Sequence, residues 1–211
     1  MTIQAIFWDL GGVILRTEDP TPRQELAAKL GISRKDLIYL VFESPQGRMA
    51  QLGKITPDEL WETVRAELKI PPEEMARVQE AYWGGDVLDS DLVGYIRSLK
   101  GDYRTALLSN AWSDLRQVIH NHWHIDDAFD EMIISAELGL MKPDPGIYRL
   151  ALEHLAVQPE RSVFIDDMLE NVEGARAVGM QAVHFRNREQ ALEDLSNILA
   201  RGEADRNHGI Y

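Results

Sequence analysis

An α/β fold, with a Rossmann-like three-layer parallel sheet core and an inserted all-helical cap domain, follows from three observations. Short apolar runs recur along the chain. Segments of helical period separate the later runs. One long stretch after the first run loses the strand signal altogether. The runs are Ile3–Trp8, Thr105–Leu108, Met132–Ser135, Ser162–Ile165 and Ala182–Phe185. Each is brief, rich in β-branched or aromatic residues and followed by small or polar ones, as strands are. Helical periodicity runs through Asp114–His120, Pro145–Leu155 and Asn171–Val178. Strands alternating with helices form a parallel sheet covered on both faces, and ligands of such sheets gather at the carboxyl ends of the strands.

From Thr21 to Tyr82 helical patterns dominate, punctuated at Gly31-Ile32-Ser33, Ser44-Pro45-Gln46-Gly47, Thr56-Pro57 and Pro71-Pro72. Ser33 and Thr56 read as N-caps. Thr56 carries Pro57 at the first helical position and Glu59 three residues on, the pattern of a capping box. The turn Trp83-Gly84-Gly85-Asp86 returns the chain to the core. The expected division is residues 1–16 and 86–211 for the core and 17–85 for the cap. The tail, Arg201–Tyr211, is polar and expected to fray.

Composition narrows the function. With 211 residues, 45% hydrophobic and 27% charged, the chain has an ordinary globular make-up. It contains no cysteine, which excludes disulfides, thiolate catalysis and zinc–sulfur sites. The N-terminal stretch lacks a basic leader, and no apolar run approaches the roughly 18 residues of a membrane span, so a cytoplasmic protein without membrane association is expected. A net charge of −13 argues against a nucleic-acid partner. A small phosphorylated substrate remains compatible, because a few cations and a metal ion can make one pocket attractive. A monomer or a homodimer is expected.

Chemistry-bearing residues stand just past the candidate strands. The first run leads into Asp9-Leu10-Gly11-Gly12 and the second into Ser109-Asn110. Lys142-Pro143-Asp144 follows the third, and the fourth ends in Asp166-Asp167. A carboxylate can attack phosphorus and form an acyl phosphate, which makes Asp9 the candidate nucleophile. Mg²⁺ takes oxygen ligands and keeps several waters, so Asp9, Asp167 and a backbone carbonyl near Gly11 suffice. Lys142 can neutralise both Asp9 and a phosphate, and Ser109 can donate to a phosphoryl oxygen. Gly11 and Gly12 let backbone N–H groups approach it.

These motifs resemble the haloacid dehalogenase-like hydrolase superfamily, in order and over nearly the whole chain. Asp9-Leu10-Gly11-Gly12-Val13 is similar to its first motif, Leu107-Leu108-Ser109-Asn110 to the second and Lys142-Pro143 to the third. Asp166-Asp167 with Asn171, Gly174, Ala175 and Gly179 is similar to the fourth. The resemblance places the helical insertion as a cap, implies direct metal contact for Asp167 and contact through water for Asp166, and implies magnesium-dependent phosphate removal through an aspartyl-phosphate. Caps of the family close over the phosphate with a loop, which makes Arg48, Gln51 and Lys54 candidates for contacting the rest of the substrate; the alternative is a solvated interhelical loop.

The sequence departs from the pattern at Gly11. Phosphatases of the superfamily usually carry an aspartate there, which protonates the leaving group and then activates water. Three readings follow. The substrate has a good leaving group, such as an anomeric or acyl phosphate, as in sugar-phosphate phosphatases with a similar Asp-Leu-Gly motif. Glu18 or Asp19, at the hinge into the cap, substitutes as the acid. Or the enzyme is weak or inactive, leaving a non-catalytic phospholigand-binding protein. A metal-free dehalogenase is a further alternative, disfavoured because two adjacent carboxylates repel each other without a cation.

Several candidates have a second reading. Ser109 can simply shape the turn after a strand, Lys142 can be a surface lysine, and Asn110 can line the phosphate pocket or only shape the turn. Asn171 can position the metal loop or cap a helix. Asp144 is expected to cap the helix beginning near Pro145. His120, His122 and His124 read as a solvated helix end rather than a zinc site, and Trp61, Tyr82 and Trp83 as cap packing.

Overall fold

The computed structural model describes residues 2–208. Its centre is a five-stranded parallel sheet built from β1 (Ala5–Trp8), β4 (Arg104–Ser109), β5 (Glu131–Ile134), β6 (Ser162–Asp166) and β7 (Gln181–His184). The order is β5-β4-β1-β6-β7, with β1 in the middle. Successive strands therefore build outward on one side of β1 and then on the other, and the switch lies between β1 and β6. Open α/β sheets bind ligands at that crevice. Trp8 pairs with Ile165 in register, so Asp9 and Asp166 emerge side by side.

All four β1 residues are fully buried, which requires layers on both faces. Ile6 and Trp8 pack with α6 (Ser90–Leu99), through Leu92, Val93 and Ile96, and with Leu195 of α11 (Arg188–His208). Ala5 and Phe7 face α9 (Pro145–His154), through Ile147, Tyr148 and Ala151, and α10 (Leu169–Ala177), through Ala175. Two short helices, α7 (Leu115–Val118) and α8 (Ser135–Leu138), flank β5.

The expected helix over Asp114–His120 is shorter. After Val118 the chain widens into a π-helical turn, Ile119–Trp123, and stops at His124 in the left-handed region (φ 52°). Of the tail expected to fray, residues 201–208 belong to α11, while Gly209–Tyr211 lie outside the described residues.

Two strands escape the sequence reading. β2 (Leu15–Thr17) and β3 (Asp86–Leu88) form an antiparallel ribbon at the base of the helical insertion. Between them run α1 (Thr21–Lys29), α2 (Arg34–Ile38), α3 (Pro45–Gln51), α4 (Pro57–Leu68) and α5 (Met75–Trp83). Ser33 and Thr56 close full capping boxes with Asp36 and Glu59. Asp144 caps α9 by accepting from the Gly146 amide.

The insertion has its own core, including Leu37, Leu60, Trp61, Val64 and Tyr82, and it takes in Trp112 from the loop after β4. Trp112 stacks on Phe42 at 5.4 Å and meets Trp61 and Trp83 edge-on. Trp61 and Tyr82 thus serve packing. A second seam lies at the end of α3: Ser135 Oγ donates to the Gln51 carbonyl at 2.6 Å. Gly53, at φ 66°, brings its backbone so close to α8 that a Cβ would lie 2.1 Å from the Ala136 carbonyl oxygen.

Gly53→Ala should therefore force the two segments apart, at a cost of about 1–3 kcal/mol. Urea denaturation measures this. An unchanged midpoint would mean that this seam does not hold the insertion against the core.

Candidate active site

β1 ends at Trp8, and the next residue, Asp9, is held by its amide to the Ile165 carbonyl at 2.9 Å. Asp166 closes β6, with Asp167 directly after it. The three carboxyl groups each offer an oxygen within 4.8 Å of the others, forming the one such acid or imidazole group close enough to hold a metal among the described residues. His120 instead bonds Asp126 at 2.9 Å, in keeping with a solvated helix end.

Lys142 enters this cluster from the loop before α9. Its Nζ lies 2.8 Å from Asp9 Oδ1 and 2.6 Å from Asp166 Oδ2, and it sits over the Phe164 ring. Lys142 is only 3% exposed, so the surface-lysine reading fails. Asn110 fixes its backbone: the side-chain amide donates to the Lys142 carbonyl at 2.9 Å and accepts from the Lys142 amide at 2.7 Å. Both ends of Asn110 are thus engaged in placing the lysine. The Lys142–Pro143 peptide is cis.

Asp166 is fully buried and held from several sides. It accepts from Lys142, from the Met168 amide at 2.7 Å and from Asn171 Nδ2 at 3.1 Å on both oxygens. Asn171 is fixed in turn by Tyr148, whose hydroxyl donates to its carbonyl. Asn171 therefore orients Asp166, while its own Oδ1 is buried without a partner. Ser109, last residue of β4, is buried, and its hydroxyl has no hydrogen-bond partner among the described residues, leaving it free to donate to a ligand.

Three carboxyl groups against one ammonium leave the cluster short of positive charge. Burial raises the Asp9 pKa most, Lys142 pulls it back, and Asp166 and Asp167 push it up again, to about 7 from 3.8. Burial, with Asp166, also raises Asp167. Burial alone would lower Lys142, yet Asp9 and Asp166 outweigh it and keep the ammonium charged. Such a site favours a proton or a divalent cation, and an all-oxygen donor set suits Mg²⁺. Gly12 is shaped for the same cluster: at φ 78°, a Cβ there would sit 2.2 Å from Asp167 Oδ2.

Gly11 is exposed, and a Cβ on it would meet nothing within 4 Å. Of the two hinge acids, Asp19 accepts from the Thr21 amide at 2.9 Å, which holds its carboxyl below its ordinary value and makes it a poor proton donor. Glu18 pairs with Arg16 at 3.0 Å and lines a cavity of about 530 Å³ that opens onto Gly12 and Asp167.

The cap candidates do not join this site. Arg48 is exposed and donates to the Glu43 carbonyl at 3.3 Å; Lys54 is exposed beside the α3–α8 seam. Neither lines the cavity, and the Gln51 amide is taken by the Phe42 and Gly47 carbonyls. The cavity is walled instead by Arg16, Arg186, Asn187 and Arg188, which the sequence reading did not single out. Buried Asp89 grips Arg16 at 2.9 Å and Arg188 at 2.7 Å. Burial pushes the Asp89 carboxyl up, but the Leu92 amide and both guanidiniums outweigh it and hold it below its ordinary value.

A family model described as haloacid dehalogenase-like hydrolase matches residues 3–179. Over 203 residues the chain is 29% identical to the sesquiterpene phosphatase astK of Aspergillus oryzae, covering 94% of this chain and 97% of that protein. It is 26% identical to the D-ribitol-5-phosphate phosphatase of Bacteroides thetaiotaomicron, covering 93% and 98%. A crystal structure of a HAD family enzyme from Bacteroides thetaiotaomicron, in complex with magnesium and inorganic phosphate, shares the fold at a TM-score of 0.72 and 23% identity, over 86% of this chain and 93% of that one.

The raised Asp9 pKa has a signed consequence. Its stabilising share in the metal-free protein is complete below about pH 3.8, and it is lost as pH rises through about 7. In chelator, Asp9→Asn should therefore gain stability relative to the parent across that window, and added Mg²⁺ should narrow the gap. Thermal melts of both proteins at several pH values measure this; parallel pH curves would refute the shift.

Proposed function

Because the chain belongs to the haloacid dehalogenase-like hydrolase family, we propose that it is a magnesium-dependent phosphatase acting on a small phosphorylated metabolite through an aspartyl-phosphate on Asp9. One observation carries this reading: Asp9, Asp166 and Asp167 lie together with Lys142 at the crevice between β1 and β6, in a set that wants a divalent cation. Metal-free attack on a carbon–halogen bond gives no use for three adjoining carboxyl groups. Both phosphatase relatives agree on phosphate removal and differ on the organic part, one being named for a sesquiterpene and the other for a sugar-alcohol phosphate.

The residues divide the work as follows. An Asp9 oxygen attacks phosphorus, the ester oxygen departs, and water then opens the aspartyl-phosphate. Lys142, bound to Asp9 and Asp166, orients the nucleophile and offers charge to the phosphoryl group. Ser109 donates to a phosphoryl oxygen. Gly12 lets the backbone approach closely. When bound, Mg²⁺ supplies positive charge that lets an anionic nucleophile meet an anionic phosphate. Asp9, Asp167 and the Gly11 carbonyl would hold it directly, and Asp166 through water.

With Gly11 in place of an acid, this chain offers no proton donor at that position. The reading that fits is a substrate whose leaving group needs little protonation.

Two measurements test the assignment. Asp9→Asn should abolish chelator-sensitive turnover of p-nitrophenyl phosphate while the circular dichroism spectrum stays that of the parent; retained turnover would remove Asp9 from the mechanism. Gly11→Asp fits the open space at that position and should speed hydrolysis of alkyl phosphates by about 100-fold, the lower range of general acid catalysis. It should do little for p-nitrophenyl phosphate, whose leaving group is already good. An equal gain on both substrates would contradict the missing-acid account.

A further inference from the structure

The cavity beside Asp167 gathers three arginines in a strongly acidic chain. Its walls include Arg16, Arg186 and Arg188 against Glu18 and Asp167, and Glu18 is already paired with Arg16. Asp89 holds Arg16 and Arg188 in place from beneath. Arg186 differs from them. Its side chain is exposed and makes no hydrogen bond or ion pair among the described residues. It also borders a second cavity of about 410 Å³ along α11, so it has room to turn. The cavity thus offers a free guanidinium to an anionic group of a ligand that reaches Gly12 and Asp167.

We propose that the substrate is an organic diphosphate, that its terminal phosphoryl group is transferred to Asp9, and that Arg186 binds the inner phosphate, which leaves with the organic group. This rests on the phosphatase reading above and deepens it. Two independent features meet in the assignment: the unpaired Arg186 guanidinium in the cavity suits a second phosphate, and that phosphate makes a leaving group that needs no acid at Gly11. The second ionisation of a phosphate ester lies near about 6, so at neutral pH it departs as an anion without taking a proton. A carboxylate elsewhere in the substrate would satisfy Arg186 but would leave the missing acid unexplained.

The bonds balance. An Asp9 oxygen bonds to the terminal phosphorus as the bridging phosphorus–oxygen bond breaks, and the electron pair stays on the inner phosphate. The organic monophosphate departs. Water then attacks the same phosphorus and breaks its bond to Asp9. The carboxylate is restored, and orthophosphate leaves carrying the proton surrendered by water.

The test compares benzyl diphosphate, benzyl phosphate and p-nitrophenyl phosphate with Mg²⁺, in the parent, in Arg186→Ala and in Arg186→Lys. The parent should prefer benzyl diphosphate over benzyl phosphate by at least about tenfold in kcat/KM, and phosphorus NMR should show benzyl phosphate and orthophosphate as products. Arg186→Ala should lower the ratio of benzyl diphosphate to p-nitrophenyl phosphate turnover by about tenfold or more, the scale of a charged hydrogen bond, and Arg186→Lys should restore part of it. Release of pyrophosphate, a preference for benzyl phosphate, or an unchanged ratio in Arg186→Ala would overturn the proposal while leaving the phosphatase reading intact. Loss of the phosphatase reading itself would show differently, as no chelator-sensitive turnover of p-nitrophenyl phosphate in the parent.

Discussion

Two buried carboxyl groups and a half-buried third around one ammonium set the terms for the rest of this molecule. Asp9, Asp166 and Asp167 come close enough to share one ion, and Lys142 answers only part of their charge. Burying unbalanced charge is expensive, and the cost is tolerable only where hydrogen bonds and counter-charges are fixed in advance. Much of the surrounding structure does that fixing. Asn110 clamps the backbone of Lys142, Asn171 and the Met168 amide hold Asp166, and Tyr148 holds Asn171. The remaining imbalance is what gives the site an appetite for a divalent cation.

The sheet topology makes that concentration possible. With β1 central and flanked by β4 and β6, the carboxyl ends of three neighbouring strands present Asp9, Ser109 and Asp166 from one rigid edge. Each β1 residue is buried from both faces, so the position of Asp9 is set by packing rather than by a mobile loop. The helical insertion is anchored independently, by Trp112 in its own core and by the Gln51–Ser135 contact. That anchorage falls on the β5 side, whereas the arginine-lined cavity opens on the β7 side.

The same contrast explains what could be read from the sequence. Strands such as Ser162–Asp166 announce themselves because burial on both faces demands an apolar run, and the chemistry-bearing residues follow at their ends. Capping boxes at Ser33 and Thr56 are legible because their partners lie three residues away. The ribbon of β2 and β3 is not legible: each strand has three residues, and Arg16, Thr17 and Asp86 carry no alternation of apolar and polar positions. Nor is the brace at Asp89, whose partners Arg16 and Arg188 are 73 and 99 residues distant. A charged residue in sequence reads as surface until its distant partner is placed beside it. Arg48 and Lys54 show the converse, since a cationic, glycine-rich loop in the cap suits a ligand by its composition yet does not line the cavity beside Asp167.

Discrimination among substrates therefore lies where the fold leaves charge unanswered. Around the carboxyl cluster nearly every polar group is already committed. Among the described residues the exceptions include Ser109, whose hydroxyl is free, Asn171 Oδ1, which is buried without a partner, and Arg186, whose side chain has no partner. Ser109 stands at the strand end where a phosphoryl group would be received, and Arg186 stands across the cavity from the metal loop. Gly11 is open and without a side chain. A site built this way can hold the transferred group firmly while contributing no proton to what departs. Its selectivity must then rest on how well the leaving group carries negative charge, and a guanidinium facing that group is the means this chain provides for favouring it.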